Sequence, residues 1–137
     1  MIPDSILLKP GKLTEEEWEV MKTHSEKGFE LLKEAPKAWG EDLIRISKEI
    51  CLYHHEKYDG AGYPGGLAGE EIPIWAQIVS LADCYEALTS DRTYKKARSP
   101  ETAYNMIMNG QCGAFSNEML QSLTRVKDQF AQMVIRK

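Results

Sequence analysis

His24, His54 and His55 are the only three histidines in a chain of 137 residues, and two of them are adjacent. Neutral imidazole suits Zn, Fe, Mn or Ni, so convergence of the three in space would make a metal site. Neighbouring positions on a helix diverge by about 100°. In one helical turn His54 and His55 would therefore not chelate a single ion side by side. They would serve two adjacent ions, or one would ligate while the other stands behind it. The plainer alternative is a helix C-terminus that favours histidine for its dipole.

Asp83 interrupts an apolar stretch, Ile78-Val79-Ser80-Leu81-Ala82 before it and Cys84-Tyr85 after it. A buried carboxylate there needs a metal, a cation or several donors to offset its desolvation; a structural salt bridge or cap is the bland reading. The stretch from His54 to Gly69 is rich in glycine and carries Tyr63-Pro64. Such a loop can approach a ligand closely, or it can be loose surface chain. Arg92, Lys95, Lys96 and Arg98 put four cations in seven residues. They suit a phosphate, or they line a solvated connection.

These residues sit in a chain of ordinary globular balance, 42% hydrophobic and 28% charged, which one domain over 1–137 accommodates. A net charge of −4 argues against broad electrostatic binding to DNA or RNA. No apolar run reaches the roughly 20 residues that span a bilayer, and the start lacks a signal-peptide pattern. Cys51, Cys84 and Cys112 are odd in number and widely spaced, which predicts reduced thiols and a cytoplasmic setting.

The elements that must position the candidate residues read as helices, with no period-2 strand and no internal repeat. After an extended lead-in over 1–13, Thr14 and Glu17 form a capping-box pattern. Trp18, Met21, Phe29 and Leu32 then predict one helix over about 14–34. A second, over about 41–57, carries His54-His55 in its last turn. A third, from Pro73 to about Ser90, is apolar around much of its circumference and reads as central and buried. Ser99-Pro100-Glu101 starts a fourth and Ser116 a fifth. The expected class is all-α, a bundle of about five helices.

The run His54-His55-Glu56-Lys57-Tyr58-Asp59-Gly60-Ala61-Gly62-Tyr63-Pro64, with Gly66-Leu67, Gly69, Ile72-Pro73 and Ala76, resembles the signature of the HD-GYP family. Ala82-Asp83, Ala87 to Arg92 and Tyr94-Lys95-Lys96 extend the resemblance. Upstream it takes in Ile2-Pro3-Asp4, Lys9 to Thr14 and Met21 to His24, so it covers roughly residues 2–110. It implies the helical HD-superfamily fold, a bi- or trinuclear metal centre and hydrolysis of cyclic di-GMP. By position, His24, His54, His55 and Asp83 match metal ligands, with Asp83 acting in catalysis through the metal. Arg92 and Lys95 match contacts to substrate phosphates, and Tyr63 belongs to the loop beside the substrate. The implied metal is Fe or Mn, with Zn, Ni and Mg as other choices.

The family's His-Asp doublet belongs immediately before Ile2-Pro3, and this sequence contains no His-Asp dipeptide. The expectation is an N-terminally truncated domain with an incomplete metal site and little or no phosphodiesterase activity. The alternative function is a non-catalytic module that binds cyclic di-GMP or docks a signalling protein. Apolar surface left open by missing helices would favour a homodimer or a domain swap.

Overall fold

Ile6 and Leu7 both donate their backbone N–H to Pro3 O at 3.0 Å, closing the one-turn helix α1 (Asp4–Leu7). The lead-in expected to be extended therefore contains a helical turn. The computed structural model describes residues 2–91 and 96–135, and the remaining helices are α2 (Glu15–Lys22), α3 (His24–Leu31), α4 (Glu41–Tyr53), α5 (Ile74–Thr89), α6 (Pro100–Met108) and α7 (Asn117–Ile135). The class is all-α, as the periodicity predicts. The described residues contain isolated bridges, Asp59 with Ala68 and Gln111 with Gly113, and no strand.

Local chemistry sets most boundaries. Thr14 Oγ1 accepts from Glu17 N (3.2 Å) while Glu17 Oε2 accepts from Thr14 N (2.7 Å), the reciprocal cap expected. Ser99 Oγ caps α6 through Thr102 N (3.2 Å), and Ser116 Oγ caps α7 through Met119 N (3.1 Å). The single helix expected over 14–34 is instead two. Thr23 Oγ1 donates to Val20 O at 2.6 Å, and Thr23 N to the same carbonyl at 3.2 Å, which closes α2 with a tighter turn. Helix α3 then starts afresh at His24, and a 3-10 turn over Leu32–Glu34 finishes the segment.

Helix α4 stops at Tyr53, four residues before the expected end. His54 Nδ1 lies 2.9 Å from Ile50 O and 3.1 Å from Cys51 O. The Cys51 carbonyl is the acceptor that His55 N would use in a continuing helix. Glu56 N instead closes a turn onto Tyr53 O (3.0 Å), while His54 N keeps its helical bond to Ile50 O (3.1 Å).

Successive helices from α3 to α7 pack on one another, and α7 returns to α5. Leu81, Tyr85 and Leu88 of α5 form the core with Ala103, Ile107 and Leu123, and Phe130 meets Tyr85 edge-on with centroids 5.0 Å apart. Helix α5 is not buried all round, contrary to its apolar circumference. Ile74, Trp75, Ile78, Ala82 and Asp83 are exposed along one side, Trp75 at 43%. The three cysteines are free, and no helix among the described residues is long and apolar enough to cross a membrane.

Candidate metal centre

The start of α3 and the turn after α4 bring the three imidazoles together. Gly28 of α3 lies against Cys51 of α4, where a Cβ would sit 3.4 Å from the Cys51 Sγ. That close approach lets His24 reach across to the end of α4. His24 Nε2 lies 3.2 Å from His54 Nε2 and 3.1 Å from His55 Nε2, and one ligating atom from each ring falls within a 4.8 Å group. The adjacent pair thus converges, with His54 and His55 centroids 4.0 Å apart. The rings lie side by side although His54 keeps helical backbone angles (φ −66°, ψ −11°), and it is His24 that comes close to the Nε2 of both.

The hydrogen bonds behind the rings settle which nitrogens carry lone pairs. His24 Nδ1 faces Met21 O at 2.8 Å, and His54 Nδ1 faces the Ile50 and Cys51 carbonyls. A carbonyl only accepts, so in the neutral form of each ring Nδ1 carries the proton and Nε2 a lone pair. Two lone pairs at 3.2 Å repel unless a cation stands between them. Burial, and next the neighbouring imidazoles, hold His55 down to about 3. Burial also holds His54 below its ordinary value, against the opposing effect of its carbonyl bonds and Asp83. Near neutral pH these two rings are therefore unprotonated donors available to a divalent ion. The separations of 3.1 and 3.2 Å from His24 match neighbouring nitrogens about 2.1 Å from one ion, while the group as a whole extends to 4.8 Å.

Tyr63 covers this cluster. Its ring stacks on His55, centroids 4.8 Å apart and planes 27° from parallel, and Trp18 meets it edge-on at 6.1 Å. Burial and then Asp83 push the Tyr63 phenol up to about 12, so it stays a neutral hydroxyl. The loop that carries it is not loose. Tyr63 N donates to His55 O (3.3 Å), Gly69 N to Tyr58 O (2.9 Å), and Ala61 N to Asp59 Oδ1 (3.1 Å). The Tyr63–Pro64 peptide is cis.

The histidines, Tyr63, Asp83 and Trp18 line one open cavity of about 930 Å³, walled on another side by Leu7 and Leu8. Asp83 is exposed, so the desolvation argument made from its apolar flanks does not hold. It faces the cavity and acts electrostatically on His54 and Tyr63 without joining the imidazole group, which contains no carboxylate among the described residues. Arg92 and Lys95 lie outside the described residues. A second groove, about 620 Å³ beside α4 between Phe29, Arg45 and Tyr53, contains none of the histidines.

Sequence reasoning passed over Glu56 and Lys57. Glu56 is buried, and Lys57 Nζ reaches Cys112 O (3.4 Å) and the Phe115 ring. The available signal was a carboxylate placed directly between the histidine pair and a glycine-rich run.

A helical domain that gathers three imidazoles at the mouth of a glycine-rich loop has relatives. The family model described as HD domain matches residues 1–113. The chain belongs to the HD-domain family, as a member of its HD-GYP type. It is 45% identical over 130 residues to a cyclic di-GMP phosphodiesterase of Vibrio cholerae, covering 94% of this chain and 26% of that protein. It is 44% identical over 132 residues to the cyclic di-GMP phosphodiesterase response regulator RpfG of Xanthomonas campestris, covering 96% and 34%. Against the 3'3'-cGAMP-specific phosphodiesterase 2 of Vibrio cholerae it is 40% identical over 129 residues, covering 94% and 24%. The chain thus spans between about a quarter and a third of the length of these relatives.

Proposed function

We propose that this domain serves a metal-dependent phosphodiesterase acting on cyclic di-GMP in the cytoplasm, with Fe or Mn as its ion. The observation that carries the reading is the convergence of three Nε2 atoms, two with lone pairs fixed by carbonyl bonds behind them, on one cavity. A bound divalent ion would activate water and stabilise charge on a phosphoryl oxygen. The chain's own residues do the rest. His24, His54 and His55 would hold the ion, with Tyr63 stacked on His55 beside them. Asp83 adds negative charge at the same cavity, positioned to act through the ion. Arg92 and Lys95 take the substrate phosphates. The names of the relatives span two cyclic dinucleotides, and cyclic di-GMP is the more frequent among them.

Three nitrogen ligands without a carboxylate hold an ion loosely, so these 137 residues by themselves turn substrate over slowly or not at all. The test is incubation of the purified chain with Mn²⁺ or Fe²⁺ and cyclic di-GMP. Slow hydrolysis, or calorimetric binding without it, agrees with the proposal; robust turnover abolished by Asp83→Ala overturns the weak-activity half. Absence of both metal and nucleotide binding overturns the whole.

The second reading is a binding module, favoured by the apolar wall of Leu7, Leu8 and Trp18 around an incomplete ligand set. Calorimetry separates it. Cyclic di-GMP binding lost in Arg92→Ala, with no hydrolysis in the unaltered chain, supports a nucleotide-binding module. No binding in either protein leaves the docking of a signalling protein.

A further inference from the structure

Glu56 is the one carboxylate among the described residues that is buried, at 3% exposure. No lysine or arginine among those residues pairs with it. Its oxygens go instead to backbone amides of the following loop: Oε1 accepts from Gly65 N at 2.6 Å and Oε2 from Leu67 N at 3.0 Å. A buried carboxylate is tolerated only when its lone pairs are met, and hydrogen bonds to an ionised acceptor are among the stronger ones. The loop also lies directly on the residue that clasps it. A Cβ on Gly62 would stand 2.4 Å from Glu56 Cα and from Lys57 N, so only glycine permits the approach.

Tyr63 sits between Gly62 and the two clasped amides. Glu56 itself follows His55, whose carbonyl accepts from Tyr63 N. The chain therefore leaves the site at His55, is caught by Glu56, and returns with the Tyr63 ring laid on the His55 ring. We propose that Glu56 is the positioning residue of this centre: by clasping Gly65 and Leu67 it holds Tyr63 against His55 and so fixes the direction in which His55 Nε2 points. The clasp does not depend on any ion. Its consequence for metal affinity rests on the reading of the three imidazoles given above, and the two are tested apart.

The test is NMR of the full, metal-free chain carrying Glu56→Gln or Glu56→Ala, with Tyr63→Ala as the reference for an unstacked His55. In the unaltered chain the ring current of Tyr63 displaces the His55 ring protons from their positions in Tyr63→Ala. Glu56→Ala is expected to move those signals to the Tyr63→Ala positions and to speed amide exchange at Gly65 and Leu67 by about tenfold or more. Glu56→Gln keeps one acceptor and is expected between the two. A residue that merely supports the fold would lower the melting temperature and leave the His55 signals in place. His55 positions in both variants equal to those of the unaltered chain overturn the proposal. Should Glu56→Ala not fold, the same comparison is read from Glu56→Gln, which preserves shape. Mn²⁺ titration of the same proteins supplies the second readout. No binding in the unaltered chain removes the metal reading while the NMR result stands on its own.

Discussion

His24 Nε2 lies within 3.2 Å of the Nε2 of His54, and the Nδ1 of each ring is turned to a carbonyl oxygen. With both rings neutral, that relationship makes the pair a two-nitrogen donor before any ion arrives. Its cost in the metal-free chain is lone-pair repulsion, which an ion would turn into attraction.

Replacing one member should therefore act on metal affinity more than on the fold. His54→Ala is expected to weaken Mn²⁺ or Co²⁺ binding by about 10- to 100-fold or more, while the metal-free melting temperature stays level or rises. Calorimetry and thermal melts check it. A large loss of metal-free stability with unchanged affinity would contradict the assignment.

The same arrangement sets a pH dependence. His55 is held down to about 3, and His54 below its ordinary value, chiefly by burial. In the denatured chain both take up protons near pH 6.5. The unfolded state thus binds more protons below that pH, and stability falls with acidity. The contribution is whole above about pH 7 and declines from about pH 6.5 down towards the folded values. The melting temperature should drop across this window, and the drop should shrink in His55→Gln.

Gly62 tests the loop. With a Cβ 2.4 Å from Glu56 Cα and Lys57 N, Gly62→Ala forces backbone apart. A loss of about 1–3 kcal/mol is expected in denaturant melts, along with displaced His55 resonances. Gly69→Ala, where nothing stands within 4 Å of the added atom but φ is +57°, should cost stability through its backbone alone and leave those resonances in place.

The exposed side of α5 gives the last expectation. Trp75 and Ile78 stand 43% and 44% exposed beside Ile74, an apolar patch of the kind that promotes association. As an isolated chain of 137 residues the protein should show a scattering mass that rises with concentration. Trp75→Ser with Ile78→Ser should return it to the monomer mass, and a monomer at high concentration without these changes would refute the expectation.

How much of this was legible in the sequence follows the range of the forces involved. The caps at Thr14, Ser99 and Ser116 were readable because each is a contact over three residues. The break at Thr23 was not, since a threonine hydroxyl that turns back on its own helix leaves the apolar spacing unchanged. The early end of α4 depends on where the His54 ring points, and the meeting of His24 with both imidazoles depends on how α3 docks on α4; residue spacing reports neither. Asp83 misled because an all-round apolar pattern reads as burial, whereas exposure depends on what packs against each side. The HD-GYP signature marked the histidines and Tyr63 by position, but not the part that Glu56 plays between them.

The contacts around the site differ greatly in the length of chain they close. Glu56 reaches Gly65 and Leu67 over 9 and 11 residues, whereas His24 meets His54 over 30. Small loops lose less entropy and close sooner, so the half of the centre built on residues 54–67 can form while α3 is still undocked. The third imidazole arrives only when α3 packs on α4. An ion held by all three would bind the docked bundle and not its precursor, stabilising it by mass action. Metal supply would then govern how much of this domain is assembled as well as what it can do once assembled.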